Sequence, residues 1–96
     1  MTPPFTVIGT SHFQRAFDKL SRHHPTMAAA YGRVISILEA DPYNYSRSHD
    51  IKKLEGIPKG YGQYRIRAGR FRSRYDIEGE IVYLKVCSLR REDTYR

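Results

Sequence analysis

Residues 64–77 alternate between two kinds of side chain, and this alternation constrains the fold more than any other feature. The first kind is aromatic, aliphatic or small, the second is charged and mostly arginine, and Gly69 interrupts the pattern once. A period of two is typical of a β-strand, because successive side chains of a strand point to opposite faces of the sheet. The segment therefore predicts two strands joined by a turn at Gly69.

The two predicted strands have one apolar face and one basic face. The face that we expect helices to cover carries Tyr64, Ile66, Phe71, Tyr75 and Ile77. The opposite face is expected to carry Arg65, Arg67, Arg70, Arg72 and Arg74. Guanidinium groups crowded on one side of a small sheet repel one another, and a surface that serves solubility alone more often mixes in lysine and acidic side chains. The basic face is therefore the first candidate for a functional surface.

Two amphipathic helices are predicted in the first half of the chain. Ser11 begins a capping-box pattern, and apolar residues then recur at helical spacing over about residues 12–22. Pro25 suits the first turn of a second helix, which the Asp-Pro pair at 41–42 ends. The short link between them predicts an antiparallel helical hairpin.

The remaining segments complete the predicted fold. Residues 5–9 favour a strand, residues 41–60 favour a polar connector, and residues 81–89 favour an internal strand with apolar residues on both faces. Each helix has a single apolar stripe, so both are expected to cover the same face of the sheet. The prediction is one α+β domain over residues 1–96, in which an N-terminal strand and a helical hairpin pack on a small antiparallel sheet.

Composition narrows the functional classes. The single cysteine, Cys87, excludes an internal disulfide and a cysteine-ligated metal site, and it fits a reducing compartment. No apolar run approaches the roughly 18 residues of a membrane span, and the N-terminus does not resemble a secretory signal. The motifs of zinc proteases, P-loop proteins and serine hydrolases do not occur. We expect a cytoplasmic protein with no membrane partner and no cofactor.

The positive charge is concentrated in the second half of the chain. The formal net charge is +7, and residues 51–96 hold twelve of the 17 lysines and arginines but only six of the ten acidic residues. Such a distribution favours an anionic partner docking on the second half. The alternative interpretation is a surface that only keeps the protein soluble.

The residue types on the basic face suit phosphate chemistry. Arginine presents a planar fork that matches two phosphate oxygens, but it stays protonated and is a poor base. Metal-free RNA cleavage needs a proton acceptor, and the phenol of Tyr95, near Arg90 and Arg91, is one candidate, since neighbouring cations lower a phenol pKa. His49 is either a second candidate base or an exposed loop histidine. Further contacts to RNA are expected from Lys52, Lys53, Arg70, Arg74 and Tyr61, with Tyr64 as a further stacking surface.

Five short patterns follow one another between residues 50 and 96. They are a KLxG connector (53–56), a YxIxxG strand (64–69), a GxFR strand reaching Tyr75 (69–75), an apolar strand (81–86) and an arginine-rich stretch that closes on Tyr95 (90–95). In this order they resemble the RelE/ParE superfamily of toxins from bacterial type II toxin–antitoxin systems, and more specifically its RelE-like branch. The first half of the chain is similar to that family in element order only.

The resemblance implies a ribosome-dependent endoribonuclease that cuts mRNA in the ribosomal A site without a metal. It implies a cognate acidic antitoxin as partner, which also sets the oligomeric state. The family's functional positions fall on Arg65, Arg67, Arg72, Arg90 or Arg91, and Tyr95. At the first two positions the family often has lysine, so this chain keeps the charge but not a side chain that can lose its proton. The alternatives are a ParE-like inhibitor of DNA gyrase and a catalytically inactive protein that binds RNA or an antitoxin.

Overall fold

The structure is a computed structural model, and it describes residues 3–90. Along the chain, one strand is followed by two helices and then by four more strands. The elements are β1 (Thr6–Gly9), α1 (Ser11–Ser21), α2 (Met27–Ala40), β2 (Ile51–Lys53), β3 (Tyr64–Ala68), β4 (Phe71–Glu78) and β5 (Ile81–Leu89). None of the described helices is long and apolar enough to cross a membrane.

The strands form one mixed sheet in the order β1-β5-β4-β3-β2. The pairs β2–β3, β3–β4 and β4–β5 are antiparallel, whereas β1 runs parallel to β5. The predicted α+β class is confirmed, and β5 lies between two neighbours as expected. The sheet is not purely antiparallel, because the two helices carry the chain back across the sheet between β1 and the later strands, as a parallel pairing requires.

The prediction of a polar connector over residues 41–60 is wrong at one place. Ile51–Lys53 form the short edge strand β2, which pairs with β3. Two of its three residues are lysines, and only Ile51 gives an apolar signal, so the alternation that identifies a half-buried strand is absent. A short, lysine-rich strand is a common way to protect a sheet edge from pairing with another chain.

The core lies between the helices and one face of the sheet, as expected. It contains Phe13, Met27, Ala30, Val34 and Leu38 from the helices, and Ile66, Phe71, Tyr75, Val82 and Leu84 from the strands. Of the residues predicted on the covered face, Ile66, Phe71 and Tyr75 are fully buried, while Tyr64 and Ile77 are half-buried at its border. The helical pair therefore covers the apolar face and leaves the opposite face to solvent.

The helix boundaries differ slightly from the prediction. Thr10, not Ser11, caps α1: its hydroxyl accepts a bond from the Phe13 amide at 3.3 Å and donates to the Leu84 carbonyl at 3.0 Å. The second contact ties the cap to β5, which the local sequence pattern does not reveal. The second helix begins at Met27, two residues after Pro25, and ends where predicted, before Asp41.

Candidate functional site

The register of β3 and β4 places four arginines on the solvent side of the sheet. Arg65 lies directly opposite Arg74, and Arg67 lies opposite Arg72. Their neighbours Ile66 and Phe71 point into the core, so the four guanidinium groups share the uncovered face. We call this surface, made by Arg65, Arg67, Arg72 and Arg74, the arginine face. The expected concentration of arginine on one face is confirmed for these four residues.

The fifth arginine, Arg70, does not lie on the arginine face. Gly69 and Arg70 form the two-residue turn between β3 and β4, with Gly69 at φ 61°, and a turn interrupts the alternation that the prediction extended through it. The Arg70 Nε donates to the Arg90 carbonyl at 2.9 Å, and the Arg90 amide donates to the Arg70 carbonyl at 2.7 Å. Arg70 also borders a cleft on the helix side with Met27 and Arg33.

Asp50, immediately before β2, relieves the repulsion at one end of the arginine face. Its Oδ2 accepts a bond from the Arg67 Nε at 2.9 Å, and its Oδ1 accepts from the Arg67 Nη2 at 3.3 Å and the Arg65 Nη2 at 3.2 Å. The backbone positions Asp50, because the Arg67 amide donates to the Asp50 carbonyl at 3.1 Å. Asp50 was not among the predicted site residues, since its contact depends on the unpredicted pairing of β2 with β3.

Arg74 and Asp76 hold the loop before β3 against the sheet. The Arg74 Nε donates to the Gly62 carbonyl at 3.0 Å, and its Nη2 donates to the Tyr61 carbonyl at 2.7 Å. The Asp76 carboxylate, buried to 1% exposure, accepts from the Gly62 amide at 2.9 Å and the Gln63 amide at 3.0 Å. Tyr61, 68% exposed, is thereby fixed beside the arginine face.

Gly62 is the residue that allows this close approach of loop and strand. Its φ is 84°, a conformation that side chains with a Cβ rarely adopt. A Cβ at this position would also lie 2.8 Å from the Arg74 Cβ. The loop can therefore pack on the Arg74 side chain only with glycine here.

Arg65 and Arg72 border a cleft with unsatisfied hydrogen-bond donors. The Nε atoms of both residues are buried, and neither has a hydrogen-bond partner within residues 3–90. The cleft has a volume of about 290 Å³, and its lining includes Leu54, Val86 and Ser88 beside the arginines. Buried N–H donors without partners cost free energy, and their presence on two cationic side chains marks this cleft as a candidate anion site.

The two lysines of β2 have different positions. Lys52 lies opposite Arg65, so it belongs to the side of the sheet that carries the arginine face. Lys53 lies opposite Tyr64 on the other side, where its Nζ is 5.7 Å from the Tyr64 ring centre. Tyr64 in turn stacks on Tyr75, with ring centres 5.4 Å apart. Tyr64 and Lys53 therefore lie on the other side of the sheet from the arginine face, and their expected contacts to RNA stay predictions.

The remaining predicted site residues lie away from the cleft or outside the described residues. Arg90 follows β5 directly and is exposed, with its backbone paired to Arg70. Arg91 and Tyr95 lie outside residues 3–90. The His49 Nε2 lies 3.7 Å from an oxygen of Asp41 in the loop between α2 and β2.

The described lining of the cleft offers cations but no ready base. Its arginines stay protonated, and burial raises the pKa of the Cys87 thiol to about 11, so this thiol is neutral at physiological pH. Such a lining is chemically suited to binding an anion and to stabilising negative charge, but it supplies no proton acceptor. Within residues 3–90, no three histidine, cysteine, aspartate or glutamate side chains come together as metal ligands.

No protein-family model matches the sequence, and no curated protein is significantly similar to it. Solved structures are similar in fold. A chain of the toxin–antitoxin complex RelBE2 from Mycobacterium tuberculosis matches with a TM-score of 0.69 and 24% identity, covering 91% of this chain and 99% of that one.

Two archaeal structures match as well. For the RelE–RelB complex of Pyrococcus horikoshii the TM-score is 0.66, the identity is 23%, and the match covers 93% of this chain and 98% of the other. For the RelB–RelE complex of Methanococcus jannaschii the TM-score is 0.55 and the identity is 21%, and the match covers 85% of this chain and 88% of the other. The structural neighbours are thus RelE/RelB toxin–antitoxin complexes, and the expected RelE-like fold is confirmed.

Proposed function

We propose that the protein is the toxin of a type II toxin–antitoxin pair, and that its arginine face binds the backbone of mRNA in the ribosomal A site and promotes its cleavage. The fold shared with the chains of RelE–RelB complexes supports the toxin assignment. The arginine face supports the choice of RNA as substrate, because arginine recognises phosphate groups through two parallel hydrogen bonds.

The observation that carries this proposal is the pair of unsatisfied Nε donors of Arg65 and Arg72 on one cleft. A face built only for solubility would have its donors in water or on acidic partners. Both donors are buried, their side chains lie diagonally across β3 and β4, and the cleft that they line also includes apolar Leu54 and Val86, so it favours an anion that comes with its own apolar surface. A nucleotide has this combination, because it carries a phosphate and a base whose flat aromatic face packs on apolar side chains.

The proposed reaction uses the nucleophile that RNA itself contains. The 2′-oxygen attacks the neighbouring phosphorus, its proton passes to an acceptor, and the bond from phosphorus to the 5′-oxygen breaks as that oxygen takes up a proton. The products are a 2′,3′-cyclic phosphate and a 5′-hydroxyl. Arg65 and Arg67 bind the backbone, and Arg72, with Arg90 or Arg91, stabilises the negative charge of the pentavalent phosphorane. Tyr95 stacks on a base or transfers a proton.

The ribosome completes this site. The described residues supply charge stabilisation rather than acid–base groups, so substrate geometry and proton transfer depend on the bound state, and RNA alone should be cut poorly. An acidic antitoxin segment that folds over the arginine face neutralises it and blocks the mRNA. Cytoplasmic localisation follows from this target.

To test for this cleavage, the purified protein is added to a translation reaction reconstituted in vitro, and the 5′ ends of the mRNA are mapped. We expect new ends within A-site codons for the wild type and for Arg33→Ala, and a cleavage rate lower by orders of magnitude for Arg72→Ala. Arg33 is the matched control, because it is an exposed arginine on α2, on the helix side of the sheet.

A parallel assay of DNA gyrase supercoiling tests the alternatives. Gyrase-linked DNA breaks without mRNA cleavage would identify a ParE-like inhibitor instead. If neither RNA nor DNA is broken, the protein only binds its partner, and the proposed catalysis is wrong.

A further inference from the structure

We propose that the Asp50 carboxylate occupies the position of an RNA phosphate on the arginine face, and that substrate has to displace it. This inference rests on the proposed function, since it assumes that the arginine face takes RNA phosphates. It adds a competing anion within the chain itself, which regulates access to two of the four arginines.

The contact geometry of Asp50 is the geometry with which arginine binds a phosphate. Both oxygens accept bonds from Arg67, whose Nε and Nη2 lie at 2.9 and 3.3 Å, and one oxygen also accepts from the Arg65 Nη2 at 3.2 Å. A phosphodiester presents two anionic oxygens in a similar fork, so either anion satisfies the same donors. The two anions therefore compete for one place.

The contact is exposed enough to be exchanged. The Asp50 side chain is 49% exposed, and those of Arg65 and Arg67 are 23% and 32% exposed. Ion pairs in contact with solvent contribute only about 0–1 kcal/mol each, so a phosphate that brings further contacts can replace this carboxylate. Asp50 also lies just before the edge strand β2, and no strand within residues 3–90 pairs with the outer side of β2.

Arg74, on the same face, has hydrogen-bond partners that cannot be exchanged so easily. Its partners are the main-chain carbonyls of Tyr61 and Gly62, which cannot leave unless the loop moves, and Asp76 fixes that loop through two amides. Asp50 instead offers a side chain on a rotatable bond. Of the four arginines, Arg74 is therefore structural, Arg65 and Arg67 are reversibly occupied, and Arg72 has no hydrogen-bond partner among residues 3–90 for its Nε.

Arg65 connects the occupied and the open part of the face. Its Nη2 binds Asp50, its buried Nε has no partner among residues 3–90, and its side chain lines the cleft that it shares with Arg72. A phosphate that enters at Arg72 and Arg65 weakens the hold of Arg65 on Asp50, and the next phosphate along the chain can then take Arg67. The contact with Asp50 thus weakens the binding of a single phosphate more than it weakens the binding of RNA, whose consecutive phosphates contact several arginines at once.

The test measures binding of a fluorescein-labelled 2′-O-methyl hexanucleotide, which cannot be cleaved, by fluorescence anisotropy over a range of salt concentrations. The variant is Asp50→Asn, which keeps the shape and removes the charge. Glu55→Gln and Glu78→Gln are matched controls, because both residues are exposed and both changes alter the net charge by the same amount. Urea unfolding of all four proteins verifies that they are folded.

We expect Asp50→Asn to bind about tenfold more tightly than the wild type, while the controls change by less than about threefold, because a bound competitor is removed only at Asp50. In NMR spectra of the side-chain Nε–H groups, the oligonucleotide should shift the Arg67 resonance of the wild type, and inorganic phosphate should shift it in Asp50→Asn at lower concentration than in the wild type.

Each other outcome overturns a specific statement. Equal gains in Asp50→Asn and the controls would show general electrostatics and no competition, and weaker binding by Asp50→Asn would show that Asp50 positions the arginines for RNA. Both results leave the proposed function intact. If neither the wild type nor Asp50→Asn binds the oligonucleotide or phosphate, both the displacement and the proposed RNA-binding face are wrong.

Discussion

The two faces of the sheet differ in burial and in how well their polar groups are hydrogen-bonded. On the helix side, Ile66, Phe71 and Tyr75 are fully buried, and even the Tyr75 hydroxyl has a partner, the Pro42 carbonyl at 2.7 Å. On the other side, residues that alternate with these in the same strands are charged and half-buried, and two of their Nε donors have no partner among residues 3–90. The buried polar groups of the covered face therefore find partners within the protein, whereas the arginine face leaves two buried donors without one among residues 3–90.

Because of this difference, alternate residues of one strand are expected to serve different purposes, those on the covered face stability and those on the arginine face recognition. Burial of apolar side chains contributes roughly 1.5–3 kcal/mol each, so the covered face supplies most of the free energy of folding. The arginine face adds like charges opposite one another, which destabilise a sheet, and Asp50 offsets this only at one end. Changes on the first face should therefore alter folding, and changes on the second should alter RNA binding and cleavage.

The largest effect on stability is expected from Phe71→Ala. The Phe71 ring is 1% exposed and makes edge contacts with Phe17 and Tyr31, whose ring centres lie at 6.2 and 6.3 Å. Loss of such a buried ring costs about 3–5 kcal/mol. Urea unfolding should show this loss, while the fraction that stays folded binds RNA like the wild type. A folded Phe71→Ala protein with much weaker RNA binding would contradict the separation of the two faces.

The opposite pattern is expected for Arg72→Ala, one residue along the same strand. Removal of one preorganised charge donor costs about 2.7–4 kcal/mol in the transition state, which is roughly 10²–10³ in rate. The free energy of unfolding should change by less than about 0.5 kcal/mol, because the guanidinium Nε has no partner within residues 3–90 to lose. The cleavage rate in the translation reaction and the urea midpoint are measured on the same preparation.

Arg72→Lys refines this prediction. Lysine keeps the charge but lacks the planar fork, so an intermediate rate would show that both charge and geometry count. Normal cleavage by Arg72→Ala would remove this residue from the site.

At Asp76 a single substitution should change both stability and RNA binding. This residue follows Arg74 by two positions in β4, yet it is buried and accepts hydrogen bonds from the Gly62 and Gln63 amides. Asp76→Ala leaves both amides without their acceptor, and hydrogen bonds to a charged group contribute about 1.5–3 kcal/mol. We expect a loss of stability in this range together with weaker RNA binding, since the loop also holds Tyr61.

Hydrogen exchange provides the readout for Asp76→Ala. Faster exchange of the Gly62 and Gln63 amides should accompany the loss, and Glu78→Gln on the same strand is the control that should leave both amides protected. Unchanged exchange in Asp76→Ala would show that other contacts hold the loop.

Local patterns predicted the elements whose signals lie within a few residues. The period of two in residues 64–77 predicted β3 and β4, and with them the shared face of Arg65, Arg67, Arg72 and Arg74. It did not predict where Arg70 lies, because a two-residue turn resets the alternation and nothing in the pattern marks its length. The helices were predicted to within two residues at each end, since their apolar stripes and the Asp-Pro stop are local signals.

The remaining features depend on contacts between distant residues. The parallel pairing of β1 with β5 joins Thr6 to Ile81, and the strand β2 exists because Ile51 pairs with Ile66. The contact of Asp50 with Arg65 and Arg67 follows from that second pairing, so it was not visible in the sequence. All the predicted catalytic roles stay predictions, including those of Arg65, Arg67 and Arg72, and Arg91 and Tyr95 also lie outside residues 3–90.

The smallest predicted effect concerns the loop between α2 and β2, which touches both faces. The Ser46 hydroxyl, with the amides of Ser46 and Tyr45 and the charge of His49, holds the pKa of Asp41 below its usual value. The hydrogen bonds of this carboxylate are therefore fully present above the ordinary pKa of 3.8 and are lost as the pH falls through the lowered value. Because the loop runs from the Tyr75 partner Pro42 to Asp50, its loosening below about pH 3.8 should slightly reduce stability and release Arg67. NMR titration of the Tyr45 and Ser46 amides measures this step. The step should be absent in Asp41→Asn, and a wild-type protein whose amides do not titrate in this range would show that the loop is held by its backbone alone.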